Sequence, residues 1–407
     1  MTNEQNERMT RIGAGTPMGN LLRRYWQVVG IALELATEPV RRLRVFGEDL
    51  ILFRSESGAY GLIAERCPHR CTSMAYGIPH EDGLRCAYHG WLFSPEGRCL
   101  EQPFEDLTHP EARYKDRVTT TAYPVEELGG LLFAYFGPSP APLLPRWDLL
   151  VRTDLDVVVD VHTLPCNWLQ CMDNAADPIH FEWLHANFGN YQLRKLGLPP
   201  ALNPRRHVKI AFEPFQYGIT KRRLLEGEAE DSHDWVTGHP LLFPNALSVM
   251  SATGEGATLQ FRVAVDDTHT IQYGYRTAPT PAGAPSKLAV RHCDLFTGDG
   301  RLKDESDVAH SVPPQDMLAW VAQGSISDRT IEHLASSDRG VIMYHKMLVE
   351  QMERVERGEA PTIGVVRSRE ENEPYIQLRR EHVGLTGFEV QYDNYLEKID
   401  ELADVRA

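Results

Sequence analysis

The chain has 407 residues, 42% of them hydrophobic and 24% charged, the balance of an ordinary globular protein large enough for two or three domains. Forty-two Lys and Arg stand against 57 Asp and Glu, a net charge of -15 that argues against a general nucleic-acid or anionic-membrane binder. No apolar run approaches the ~20 residues of a membrane helix, and the start MTNEQNERMT is too polar for a secretory signal, so a cytoplasmic protein is expected.

Residues 1–39 read as an N-terminal segment in which GTPMGNLLRRYWQVV predicts a short amphipathic helix leading into a strand. From 40 to 140, short runs of Val, Ile, Leu, Phe and Tyr are separated by Gly58, Gly83 and the Pro95–Gly97 turn, predicting a compact antiparallel β unit. The proline-rich stretch GPSPAPLLPRW marks a boundary. Residues 141–407 mix types: VDVHTL is strand-like, 167–187 is helical in period, and strands recur in HVKIAF, YGITKRRLL, ATLQFRVAV and HTIQYGYRT. A helix follows from about 339, with Gly358 as its stop. The class is α+β, a small all-β unit ahead of a larger mixed one.

Seven cysteines, an odd number, argue against a disulfide framework. Residues 67–90 read CPHRCTSMAYGIPHEDGLRCAYHG and hold two short arms, Cys67-x-His69 and Cys86-x-x-His89. A closed Cys2His2 zinc site is one reading, although zinc fingers usually keep both Cys on one arm and both His on the other. A binuclear iron–sulfur cluster, with Cys67 and Cys86 on one iron and His69 and His89 on the other, suits the mixed order. Cys71 matches no ligand position and is expected to be a small buried residue; Tyr88 and Trp91 flank the second arm.

Residues 167–185 read NWLQCMDNAADPIHFEWLH. Asp173, Asp177 and His180 follow helical spacing, but His185, five residues past His180, leaves that face of an α-helix. Asp177–Pro178 predicts an irregular turn that lets the imidazoles converge. Two histidines with one distant carboxylate form the facial triad of non-haem Fe(II) oxygenases. The plainer alternative is a pair of core or surface histidines with Asp177 as a turn residue.

Both motifs, with VDDTHT at 265–270 and QGSISDRTIEHLASSDRGV at 323–341, resemble the Rieske non-haem iron aromatic-ring-hydroxylating oxygenases, specifically the α subunits of the phthalate-dioxygenase-like group. The resemblance implies a Rieske domain followed by a helix-grip (START-like) catalytic domain, an antiparallel sheet flanked by helices. It implies one [2Fe–2S] cluster on Cys67, His69, Cys86 and His89, and one mononuclear Fe(II) on His180, His185 and Asp338. Asp338, in SSDRGVIMYHKML, also reads as a helix N-cap, with Asp328 and Glu332 as fallback ligands. Asp177 would be the inter-subunit electron-transfer bridge, and Asn167, Gln170 and Asn174 pocket groups. The expected partners are an NAD(P)H-dependent flavin/iron–sulfur reductase, O2, a small aromatic substrate and further copies of the chain, as a homotrimer or hexamer. The implied activity is hydroxylation of an aromatic carboxylate or diaryl ether by a dioxygenase or monooxygenase, with oxidative O- or N-demethylation as the alternative. From other classes, a Rieske electron carrier would need only about the first third of the chain, and a hydrophobic-ligand binding protein would leave the metal sites inert. Residues 203–223 concentrate basic side chains, of which Arg222 or Arg223 is the candidate for a substrate carboxylate. On an alternating strand only one of the two can face a pocket.

Overall fold

The computed structural model describes residues 1–250, 256–378 and 389–391, and the chain divides into two compact units. The first comprises Ile12–Arg152 and Val365–Ile376. Thr16 accepts from the Gly19 amide and so caps the helix Pro17–Leu22, with Pro17 in its first turn. The apolar strand Trp26–Ile31 then pairs with Leu131–Tyr135, which also pairs with Val125–Leu128. Residues 1–39 therefore do not form a segment of their own, because WQVVGI needs a partner strand to satisfy its backbone and bury its side chains. Residues 1–11 belong to the second unit, where Asn6 Nδ2 donates to the Ser327 carbonyl at 3.0 Å.

Two four-stranded sheets complete the first unit, one ordered Val40–Val45, Glu48–Arg54, Tyr60–Ala64 and Ala122–Tyr123, the other Ile78–His80, Gly83–Arg85, Leu92–Phe93 and Cys99–Glu101. Ile51, Phe53, Ile63, Met74, Leu84 and Phe93 pack into one core with Cys67 and Cys86. The two metal-motif loops thus rise from that core.

In the second unit a nine-stranded sheet runs, among the described residues, in the order Leu288–Cys293, Leu155–Leu164, His269–Pro279, Ala257–Asp266, Ala246–Met250, His239–Leu242, Gly218–Leu225, His207–Phe215 and Glu389–Gln391. All pairings are antiparallel except Leu155–Leu164 with Leu288–Cys293. The long helix Arg339–Glu356 packs on this sheet, with Tyr344 donating to the Pro244 carbonyl at 2.7 Å. Gly340 allows the close approach: a Cβ there would lie 2.3 Å from the Phe212 ring and 2.4 Å from the Ala176 carbonyl. Gly358, at φ +78°, follows its end.

Period-two alternation sorts the basic side chains of Gly218–Leu225 onto opposite faces. Lys221 reaches the Asp177 carbonyl and Arg223 lies over the Phe181 ring, whereas Arg222 points the other way, to the Trp235 carbonyl.

Candidate functional site

The two cluster loops share one backbone form. The Cys71 amide donates to the Cys67 carbonyl at 2.9 Å, and the Gly90 amide donates to the Cys86 carbonyl at 3.0 Å. Both fourth residues are left-handed, Cys71 at φ 61° and Gly90 at φ 75°. Cys71 is exposed, not buried as its residue type suggested, because that backbone turn directs it away from the core. Cys67 and Cys86 lie buried, with the Cys67 thiol pushed up to about 11 by burial and by its Cys86 neighbour. His69 and His89 lie nearer the surface with ring centroids 4.5 Å apart, and Trp91 stacks on His69 at 4.2 Å. Burial, then His89 and Arg70, lowers the His69 pKa and so favours the neutral imidazole a metal needs.

Among the described residues these four do not gather around a single point, as a tetrahedral zinc site requires, while His180, His185 and Asp316 do. A thiol pair beneath an imidazole pair is the donor set a [2Fe–2S] cluster takes.

The second site is built on a break and a wide turn. Asn167 caps the helix Trp168–Ala176, which ends at the extended Asp177 before Pro178. The chain then forms a π-helix over Phe181–Phe188. Its i→i+5 hydrogen bonding makes each turn one residue wider than an α-helix, so the five-residue spacing brings His180 and His185 onto one side. Their rings lie 5.1 Å apart. The expected proline break is present, but the π turn produces the convergence.

Asp316, on the helix Val312–Val321, completes the group, its Oδ1 3.5 Å from His180 Nε2 and 3.2 Å from His185 Nε2. Each imidazole is held from behind. His180 Nδ1 donates to Asp177 at 3.1 Å, and His185 Nδ1 donates to Gln315 Oε1 at 2.9 Å. Gln315 Nε2 in turn donates to the Val308 carbonyl at 2.7 Å. Such outer bonds fix the tautomer and leave each Nε2 lone pair for a metal. Asn174 Nδ2 donates to Asp316 at 3.3 Å. Burial alone would raise the Asp316 carboxyl, but the His185 bond and the nearby His180 and Arg262 bring it below the usual carboxylate value.

The structure puts several expected site residues to other uses. Asp338 accepts from the Ala335 amide at 2.7 Å in the turn leading into Arg339–Glu356, so Asp316 takes the place proposed for it beside the histidines. Of the fallbacks, Asp328 accepts from Thr330, and Glu332 lies 3.9 Å from Arg329. Asn167 is buried and spent on its cap and on the Thr10 and Asp267 carbonyls, and Gln170 bonds Trp320, Gly324 and Ser327 backbone. Asp173 leaves the histidine face to meet Arg329 and His345, each at 2.6 Å. Gln315 and Asp316 escaped motif reading; their signal was a polar pair inside the apolar run VPPQDMLAWV.

Residues 25–111 match the Rieske [2Fe-2S] domain model, and residues 301–379 match a model described as LigXa C-terminal domain like. The oxygenase subunit of 5,5'-dehydrodivanillate O-demethylase from Sphingobium sp. (strain NBRC 103272 / SYK-6) is 41% identical over 394 residues, covering 95% of this chain and 90% of that protein. The chain belongs to the Rieske oxygenase α subunits. Phenoxybenzoate dioxygenase subunit alpha of Ectopseudomonas oleovorans is 33% identical over 373 residues, 87% of this oxygenase and 86% of that protein. The terminal oxygenase of carbazole 1,9a-dioxygenase from Nocardioides aromaticivorans IC177 shares the fold at TM-score 0.60 and 16% identity, covering 88% and 98% of the two chains. This oxygenase component therefore carries a [2Fe–2S] cluster and a mononuclear non-haem iron. No described helix is long and apolar enough to cross a membrane.

Proposed function

We propose that this oxygenase component demethylates an aryl methyl ether, with Cys67, His69, Cys86 and His89 holding the cluster and His180, His185 and Asp316 the iron. The carrying observation is the similarity along 95% of the chain to the dehydrodivanillate O-demethylase oxygenase subunit. When bound, the iron supplies O2 activation and the cluster supplies electrons. The chain's own groups prepare the site. Asp177 and Gln315 orient the two imidazoles, and Asn174 steadies the Asp316 carboxylate. Asp177 is also the proposed inter-subunit electron link, in a homotrimer or hexamer served by an NAD(P)H-dependent flavin/iron–sulfur reductase in the cytoplasm. The net reaction adds one oxygen atom of O2 to the methyl carbon and takes two electrons and two protons. It yields a phenol, formaldehyde and water.

A ring-hydroxylating reading is favoured by the 33% identity to the phenoxybenzoate dioxygenase α subunit. Single turnover of the reduced holoenzyme under labelled O2 separates the two, with 3-methoxybenzoate as probe. Formaldehyde and unlabelled 3-hydroxybenzoate are expected. Labelled oxygen on the ring, with the methoxy group intact, would replace demethylation by ring hydroxylation.

A further inference from the structure

Two buried cations beside the iron site lack the partners that buried cations ordinarily have. Arg262, 1% exposed, donates through Nη2 to the neutral Gln260 side chain at 2.7 Å. Its Nη1 has the Met172 thioether at 4.0 Å, its plane faces the Trp320 ring at 5.4 Å, and its Nε has no hydrogen-bond partner. Lys221, also buried, donates to the Asp177 carbonyl at 3.0 Å. Neither has an ion-pair partner among the described residues. Arg222 and Arg223 differ: Arg222 is paired with Glu213 at 2.8 Å and Arg223 with Asp234 at 2.7 Å.

Buried charges are ordinarily paired, so two cations on one face of a sheet whose hydrogen-bond acceptors are all neutral call for an anionic occupant once the iron is bound. Arg262 lies within electrostatic reach of Asp316, and Lys221 of both Asp177 and Asp316. Those two carboxylates balance the two cations, and a divalent ion on Asp316 leaves two positive charges over. One neighbouring group leaves a further polar atom on the same face of the sheet. Gln272, which pairs in register with Arg262, has an unpartnered Oε1.

We propose that Arg262 and Lys221 form an anion subsite that receives a carboxylate of the aromatic substrate, displacing Arg222 and Arg223 from that role. The proposal deepens the demethylase reading and rests on it for the identity of the reaction, but the anion contact can be read without turnover.

The test is equilibrium binding of benzoate and of methyl benzoate to the oxidised holoenzyme, by calorimetry. A charge-assisted hydrogen bond gives roughly tenfold or more in affinity. Benzoate should therefore bind at least about tenfold more tightly than its ester. Arg262→Gln and Lys221→Met should each weaken benzoate by about that factor and leave methyl benzoate within about twofold. The ligand-free Arg262→Gln protein should keep or raise its Tm, since a buried unpaired charge is gone; an arginine with a purely structural role would lower it. Equal binding of acid and ester by the wild type, or equal weakening of both by the variants, would overturn the subsite. Turnover of 3-methoxybenzoate and its methyl ester separates the two claims. Retained discrimination without demethylation would discard the demethylase reading alone, and equal demethylation of acid and ester would discard the subsite alone.

Discussion

Replacing Asp316 by Asn keeps the side chain's size and removes the charge facing both imidazoles, whose Nε2 atoms lie 3.2 and 3.5 Å from its Oδ1. Loss of an outer hydrogen bond to a metal ligand typically costs 10–100-fold in affinity. Loss of a direct anionic ligand should exceed that, more than about 100-fold or ~2.7 kcal/mol. Iron retained through gel filtration should then fall from about three per chain to about two, with the cluster's visible spectrum unchanged. Asp338→Asn is the paired control. Its exposed carboxylate accepts one amide bond at 2.7 Å, and Asn is itself a good capping residue. The expected cost is below about 1 kcal/mol, a Tm shift under about 4 °C, with iron content unchanged. Iron lost in Asp338→Asn and kept in Asp316→Asn would refute the assignment.

Gln315→Leu should weaken iron binding about 10–100-fold while leaving the cluster intact, measured by Fe(II) titration of the cluster-loaded protein. His180→Ala should abolish oxygenation and spare the cluster spectrum; loss of both together would count against two separable sites. Asp173 gives a pH signature: burial alone would raise its carboxyl, but Arg329 and His345 hold it down to about 2 from 3.8. A depressed carboxyl contributes stability above its unfolded value and loses it as pH falls, here between about pH 4 and pH 2. Asp173→Asn should therefore cost about 2 kcal/mol or more at pH 7, and the Tm gap to wild type should close toward pH 2. Cys71→Gly, which places the residue of the matching second loop at a left-handed position, should leave the cluster spectrum unchanged and the Tm equal or a few degrees higher.

Period and spacing in the sequence determined much of this protein. Alternating apolar runs placed the strands of both units, because burying one face of a sheet imposes a period of two. Cys67, His69, Cys86 and His89 were legible because ligands of one cluster come from two short loops, where sequence proximity becomes spatial proximity. His180 and His185 were legible as residues, but the means of their convergence was not, since a π turn has no residue pattern distinguishing it from an α-helix.

Tertiary structure decided everything that depends on segments far apart in the chain. Asp316 lies well over a hundred residues from the histidines it faces, and no spacing rule singles it out of 57 acidic residues. Asp338 matched an expected motif and proved to be engaged at a helix start. Among the arginines, charge and residue type were equal, and pairing made the difference: Arg222 and Arg223 found carboxylates, and Arg262 has no ion-pair partner among the described residues. Which buried charge is compensated depends on what the fold brings within a few ångströms, and that distance is set by how the sheet and helices pack.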